Sequence, residues 1–589
     1  MARLISPVTL CSEVSHYVGI MGGNFPQNNL HMPFSPTPNP PPVPELSSAS
    51  ERHATGFEPL RSPLFRNLWI ASAISNLGGW MQDTAGTWLM TLLTPSPLLI
   101  ALMQTAASLP VVALGLLAGA TADIFDRRRL LLFWQAWMLA AVALLSLLTF
   151  CNIISPWVLL ILTFLLNVGA GMNSPAWQAI MPELVSRKQL PEAVSLNSAG
   201  FNLARALGPA LGGLAIAFFV HADTGAAWTF LLNSLSFVGV ILVLYRWKRN
   251  PLFKSALPAE RIYGSMRAGL RYVQFAPLLK AALIRVFVFA LFVSAVWSLL
   301  AVVAASDLHQ GALGYGILNG SMGLGAVIGA MSLPTVRRKL SADMIITIST
   351  GIFAGTLLVL AFVHYPLIII PVLLLAGFAW TSTMSTFNLA VQVSAPSWVQ
   401  ARALGIYQMV FSAGMALGSV IWGLIATHVS TAISLTAAAG GLFITLPMTR
   451  GLHVLRGELP DFSPFRTTSP EPQLALEPKM SDGPVRILID YYVNPEDYNA
   501  FVQAVHEMKN VRLRDGAMRW GIFQDTSDPR HLTETFIMES WIDYLRQRER
   551  FTASDLTIRD RVFGLHRDAE PPRITHTIYA KEQADPGSH

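Results

Sequence analysis

Twelve apolar stretches, each long enough to cross a bilayer, occupy residues 62–450, and no other feature constrains the fold as strongly. A hydrocarbon core is about 30 Å thick and a helix rises about 1.5 Å per residue, so about 20 apolar residues span it. The pattern predicts helices near 66–92, 97–120, 130–151, 156–178, 194–219, 226–246, 278–305, 312–334, 342–363, 366–390, 403–427 and 430–449. Charged residues make up 13% of the chain, about half the ~25% usual in soluble proteins. A mean hydropathy of +0.46 agrees. The lipid bilayer is therefore the first expected partner.

The loops carry charge in alternation. Arg127–Arg129, Arg187 with Lys188, Arg337–Lys339 and Arg402 lie on one side, together with eight basic residues in the 246–280 segment. The alternate loops, around Pro95, Ser155, His221, His309, His364 and His428, have no Lys or Arg. Cytoplasmic loops carry the excess of basic residues, so this predicts a multi-pass bacterial inner-membrane protein with both termini cytoplasmic. The net charge of +6 is explained by this segregation, and no nucleic-acid partner is expected. Cys11 and Cys151 stand far apart, which excludes a disulfide framework or a cysteine metal site.

The boundaries follow from composition. Residues 1–61 read as a disordered Pro-rich extension, in which Met21 and Met32 are candidate alternative starts. Two six-helix halves are expected at 62–246 and 278–450, joined by a cytoplasmic central loop at 247–277. Within that loop Ile262, Met266, Leu270 and Val273 fall on one helical face, which predicts an amphipathic helix whose Arg261, Arg267 and Arg271 reach water or headgroups. An offset of 210 relates the halves. Gly115, Gly119 and Arg127–Arg129 recur as Gly325, Gly329 and Arg337–Lys339, while Ala206–Gly208 and Gly213 recur as Ala416–Gly418 and Gly423. Repeated halves imply a substrate site near the midplane between them.

Gly119-Ala-Thr-Ala-Asp123-Ile-Phe-Asp-Arg127-Arg128-Arg129 resembles the loop motif of the major facilitator superfamily. The resemblance implies a gating role for Gly119, Asp123 and Arg127–Arg129. Ile124 and Asp126 depart from the family pattern, and Leu333 replaces the acid in the second copy, so any latch is expected to be stronger in the first half. Gly208, Pro209, Gly212 and Gly213 resemble the helix-five motif of superfamily exporters; close helix packing is the alternative role. The stretches 65–69, 78–82, 197–205 and 394–404 are similar to the enterobactin-exporter-like branch, also called transmembrane secretion effectors. That resemblance implies a proton-driven exporter of amphipathic small molecules such as a drug, siderophore or secondary metabolite. It implies no cofactor beyond the proton gradient.

A charge inside the bilayer costs about 3 kcal/mol or more unless paired or hydrated. Asp83, in the first helix, is therefore the proton-coupling candidate, with Arg205 of the fifth as its expected partner. A static ion pair between the two is the alternative. Arg285 is expected to snorkel to the cytoplasm. Asn173, Trp177, Gln178, Trp297, Trp380, Thr383 and Asn388 are cavity candidates, since aromatic faces with a few amides suit bulky amphipathic cargo.

Residues 451–483 read as a linker, and 484–582 as a soluble cytoplasmic domain. Strands at 485–493, 518–525, 533–541 and 573–580 and helices at 495–509 and 544–563 give the order βαββαβ, a ferredoxin-like α+β fold. Asn494 is the expected cap of the first of these helices. The 539–550 run resembles the antibiotic-biosynthesis-monooxygenase-like group, which implies self-association through this domain. With no nucleophile–base pair and no metal spacing, the chain reads as a transporter rather than an enzyme. An importer, or a membrane-tethered sensor or enzyme acting through the tail, is the alternative.

Overall fold

Most of the membrane helices begin where the sequence offers a start signal. Pro occupies the first turn of the helices opening at Pro63, Pro97, Pro156, Pro277 and Pro366, where its missing N–H is no loss. Ser62, Ser155, Ser341 and Ser430 accept a backbone N–H as N-caps. The computed structural model describes residues 58–186, 189–247, 262–396, 398–449, 451–452, 461 and 478–580, except for the side chains of Leu116, Ala120, Asp123, Ile124, Ile262, Tyr263 and Ser265. The expected Pro-rich extension and most of the linker lie outside the described residues.

The first half comprises α1 (Pro63–Leu93), α2 (Pro97–Ile124), α3 (Arg127–Phe150), α4 (Pro156–Leu184), α5 (Leu190–Ala217) and α6 (Ala222–Arg246). After α7 (Ile262–Phe275) the second half comprises α8 (Pro277–Val302), continued by a π turn to Asp307, α9 (Ala312–Lys339), α10 (Ala342–Phe362), α11 (Pro366–Val393), α12 (Gln400–His428) and α13 (Thr431–Met448). Among the described residues, ten of these helices are long and apolar enough to cross a membrane by composition alone. The other two, α1 and α5, are 31 and 28 residues long and carry Asp83 and Arg205. Their polarity serves the protein interior, so composition under-reports them.

Packing repeats with the sequence. α1 packs on α5, α2 on α4 and α3 on α6; α8 on α12, α9 on α11 and α10 on α13 follow in the second half. The halves meet along two equivalent seams, α5 on α9 and α12 on α2. In the first seam Gly213 and Gly316 bring backbones together, such that a Cβ on Gly213 would lie 2.6 Å from the Ala312 carbonyl oxygen and one on Gly316 would lie 2.7 Å from that of Pro209. In the second, Thr105 donates to the Ala416 carbonyl at 3.2 Å and Leu98 N–H to Thr427 Oγ1 at 2.9 Å.

Arg285 is not a snorkelling residue. It is 7% exposed, pairs with Asp343 of α10 and donates to the Leu452 carbonyl at 3.1 Å. The partner lay on another helix, outside the reach of local reading. In α7 the buried face is also not the expected one. Ala268 and Tyr272 are 4% and 1% exposed, whereas Leu270 is 49% exposed.

The tail folds as β1 (Val485–Tyr492), α14 (Tyr498–Asp515), β2 (Arg519–Gln524), β3 (His531–Met538), α15 (Trp541–Glu549), α16 (Ala553–Gly564) and β4 (Arg573–Ile578). Its antiparallel sheet has the order β2-β3-β1-β4, with Ile487 opposite Phe536 and His576, which is the ferredoxin-like arrangement. Two details differ from expectation. Asn494 makes no capping bond and precedes a short 3₁₀ turn. The second helix is broken in two, because Thr552 and Asp555 form a capping box that starts α16 afresh.

Candidate functional site

A cavity of about 510 Å³ opens within the first half. Its wall is lined by Ser75, Asn76, Trp80 and Asp83 of α1, Gln135 of α3, Asn167, Asn173, Ser174, Trp177 and Gln178 of α4, Asn197 and Phe201 of α5, and Asn233 of α6. Asp83 marks its deep end. Trp177, Gln178 and Asn197 lie towards the helix ends that join the basic loops. The contacts between halves at Leu98–Thr427, Gly213–Ala312 and Trp88–Tyr315 (rings stacked at 5.9 Å) lie at the opposite ends. The halves are thus closed on the charge-poor side, and the cavity runs towards the charged one.

Seven amide side chains line this wall. Asn233 donates to Gln82, next to Asp83, and accepts from Ser236 Oγ at 3.2 Å. Gln135 donates to Asn173 at 3.4 Å while its own carbonyl oxygen is buried without a partner. A buried unsatisfied acceptor is costly, which makes it a ready receptor for a ligand donor or a water. Asp83 is solvent-accessible in the cavity. Among the described residues, no ion pair or hydrogen bond engages its carboxylate.

The expected Asp83–Arg205 pair is absent. The Arg205 guanidinium instead lies 5.7 Å from the Trp80 ring and 5.6 Å from the Trp380 ring. Trp380 belongs to an aromatic cluster in which Trp297 lies 4.2 Å away and Phe289, Phe353 and Phe411 complete the wall. A planar delocalised cation is well suited to two aromatic faces. Sequence reading found both residues but paired the arginine with the nearest opposite charge and missed the rings.

Of the other cavity candidates, Asn173, Trp177 and Gln178 do line the wall. Trp297, Trp380, Thr383 and Asn388 do not. Thr383 is wholly buried, and its hydroxyl has no partner. Asn388 accepts a hydrogen bond from Gln392 on its own helix. The residues that sequence reading missed are Asn76, Gln135, Asn197 and Asn233, whose shared signal is an amide inside an apolar run.

The motif residues act within the first half. Arg127 pairs with Glu183 at 2.9 Å and donates to the Ala179 carbonyl at 3.0 Å, fastening α3 to α4. Arg128 donates to the Leu244 and Tyr245 carbonyls at 2.9 and 2.6 Å, where the C-terminus of α6 presents unsatisfied oxygens. Arg129 is exposed, and its backbone N–H bonds to Asp126, the N-cap of α3. Asp126 thus has a local task in place of the family's glycine. The Asp123 side chain lies outside the described residues. Gly119 faces open space, so it permits no close helix approach, whereas its repeat partner Gly329 lies against the Phe378 backbone of α11. Arg337, Arg338 and Lys339 are exposed.

In the helix-five motif, a Cβ on Gly212 would meet the Met81 carbonyl oxygen at 2.7 Å, and Gly208 lies against Trp80. Gly213 and Pro209 face α9. The motif therefore lets α5 touch α1 and α9 simultaneously.

Known proteins agree with this architecture. Solved structures similar in fold include a D-xylose–proton symporter (TM-score 0.54, 14% identity, 66% of this chain and 97% of that one) and a bacterial homologue of the iron transporter ferroportin (TM-score 0.52, 15% identity, 66% and 98%). Among curated sequences, the chain is 30% identical over 237 residues to an uncharacterised transporter of Bacillus subtilis, a match spanning about half that protein (54%) and 38% of this chain. It is 25% identical to the multidrug efflux pump Tap of Mycolicibacterium fortuitum, over 62% of this chain and 89% of that protein, and to the enterobactin exporter EntS of Salmonella paratyphi A, over 69% and 95%. The transmembrane secretion effector model matches residues 54–584, and the chain belongs to that family of major facilitator transporters.

Proposed function

We propose that the protein is a proton-coupled exporter of amphipathic small molecules working by alternating access, with Asp83 as its coupling carboxylate. One observation carries the reading: an unpaired carboxylate lies exposed at the deep end of a 510 Å³ cavity whose wall also carries amides and aromatic rings. Such a carboxylate can take a proton on one side of the membrane and release it on the other. Export accords with the efflux pump and siderophore exporter among the relatives. The charged loops support a cytoplasmic opening for the cavity, and on that reading the state is inward-open.

The wall suits cargo that combines flat apolar surface with hydrogen-bonding groups. Trp80, Trp177 and Phe201 supply faces, while Asn76, Asn167, Asn173 and Asn197 both donate and accept. Arg127, Arg128 and Glu183 hold α3, α4 and α6 together, so that the half moves as one body. Self-association through the tail is a second element of the reading. The sheet face bearing Arg486, Phe523 and Thr577 is exposed, and cross-linking in native membranes tests it.

The deciding experiment follows the pH gradient of inside-out vesicles while amphipathic drugs and siderophores are added. Compound-dependent collapse in wild type, absent in Asp83→Asn at equal membrane abundance, is the expected result. Equal collapse in both proteins removes Asp83 from the coupling step.

A further inference from the structure

The C-terminal domain is fastened to α7 and to the α11–α12 loop of the second half at one joint. Arg271 of α7 donates to the Gly516 carbonyl at 2.8 Å, and Arg267 pairs with Glu539 at 3.2 Å. Gly516 ends α14 with φ +140°, a conformation suited to glycine, and its carbonyl belongs to the negative pole of that helix. Beside it, the Arg550 guanidinium lies 4.3 Å from the Trp398 ring and that of Arg514 5.8 Å from the Tyr272 ring. Arg550 also donates to the Asp515 carbonyl at 2.8 Å, so it is held in place for the stack.

Tyr272 links the pieces. Its ring meets Trp398 edge-on at 5.8 Å, and its hydroxyl donates to the Ser394 carbonyl at 2.9 Å, at the inner end of α11. Burial raises the Tyr272 phenol pKa, so it remains a donor across the physiological range. The repeat offset of 210 sharpens the point. Trp398 stands where the first half has Lys188, and Ser397 where it has Arg187. At these two positions the second half carries Ser and Trp in place of two basic residues, and the tail supplies a cation that covers the ring.

We infer that the C-terminal domain is a brake: docked through Arg550–Trp398 and Arg271–Gly516, it pins the inner end of α11 and holds the cytoplasmic mouth open. This rests on the inward-open reading above. Closing the mouth brings the inner ends of the second half towards those of the first, and α11 must then carry or shed the folded domain stacked on Trp398 and, through Tyr272, coupled to Ser394. Arg–aromatic stacks of this kind are enough in combination to shift an equilibrium between two access states and weak enough to be undone.

The test needs no cargo. In a full-length chain with Cys11→Ser and Cys151→Ser, Ser174→Cys places a thiol on the cavity wall. Inside-out vesicles are treated with a membrane-impermeant maleimide, alone and with Arg550→Glu or Trp398→Ala added. Hydrogen exchange at 511–517 reports docking. Expected are faster exchange in both variants and labelling of Ser174→Cys several-fold slower than in the parent. Two outcomes overturn the brake: faster exchange with unchanged labelling, which makes the domain a passenger, and unchanged exchange, which shows that the stack does not hold it. A parent that resists labelling overturns the inward-open reading itself, and the brake with it.

Discussion

Arg205 holds its guanidinium 5.6 Å from the Trp380 ring, so a cation of the first half rests on an aromatic face of the second. Because Trp80 covers its other side at 5.7 Å, the arginine is satisfied without a carboxylate. Asp83 is thereby left to the cavity. The two charges that the sequence appeared to pair have separate tasks.

The first consequence concerns Asp83. Asp83→Asn keeps the shape and removes the charge, so protein should reach the membrane at normal abundance while proton-coupled efflux falls about tenfold or more, a barrier change of at least ~1.4 kcal/mol. Gradient collapse in inside-out vesicles is the readout.

Arg205→Met retains bulk but not the cation. Losing two ring contacts should cost about 1–2 kcal/mol, of which only the Trp380 contact joins the halves. The pH dependence of efflux should remain centred where it is in wild type, because Asp83 has no bond to lose. A displaced pH profile would show that the two charges communicate.

Gly316 has no space for a side chain, since a Cβ would stand 2.7 Å from the Pro209 carbonyl oxygen and 3.0 Å from Gly213 Cα. Gly316→Val should lower thermal stability in detergent by about 1–3 kcal/mol, the usual range for overpacking. Gly119→Ala, at a site facing open space, should be neutral and serves as the matched control.

Glu534 is wholly buried in the tail and accepts from Arg512 Nε at 3.1 Å, Trp520 Nε1 at 3.0 Å and Tyr491 Oη at 3.2 Å. Burial, followed by the nearby carboxylate, raises the Tyr491 phenol well above its ordinary pKa, so it remains a donor. Glu534→Leu leaves Arg512 buried without its carboxylate and should destabilise the domain by about 3–5 kcal/mol. Faster hydrogen exchange across 485–538 in the full chain checks it.

His531 bridges two acids, with Nε2 3.1 Å from Asp490 and Nδ1 3.2 Å from Asp525. Both nitrogens donate only in the imidazolium. Partial burial works against that form, but the bonds to Asp525 and Asp490 outweigh it and raise the pKa above 6.5. A raised folded-state pKa means that the stabilisation is complete below about pH 6.5 and is lost as pH climbs through the higher folded value. Exchange of the β2–β3 hairpin should quicken over that interval in wild type, and His531→Gln should flatten the trend.

The membrane helices were legible because a bilayer imposes a length that any reader can measure, and loop charge supplied a parity check. The ferredoxin-like order was legible from the alternation of 485–493 and the turn residues between strands. What escaped was everything defined by a partner distant in sequence. Leu270 looked like the buried face of α7 by periodicity, yet Tyr272 is buried because the tail and the α11–α12 loop close over it. Arg285 looked like a snorkelling end residue until Asp343 appeared beside it. Thr383 shares its run with cavity-like polar residues, but helix rotation turns it into the core. The cavity was half legible, since an amide in an apolar run signals an interior task without saying which half of the molecule uses it.

The seam at Gly213 and Gly316 has a mechanical consequence. Where two backbones touch with no side chains interleaved, nothing must be withdrawn and re-seated when one rolls upon the other. The seam can thus serve as a fulcrum near the charge-poor loops, with the long portions of the helices that run to the basic loops as lever arms. A few degrees of roll at such a pivot become several ångströms at the ends that join the basic loops, so a close backbone contact on one side is also what allows the far side to travel.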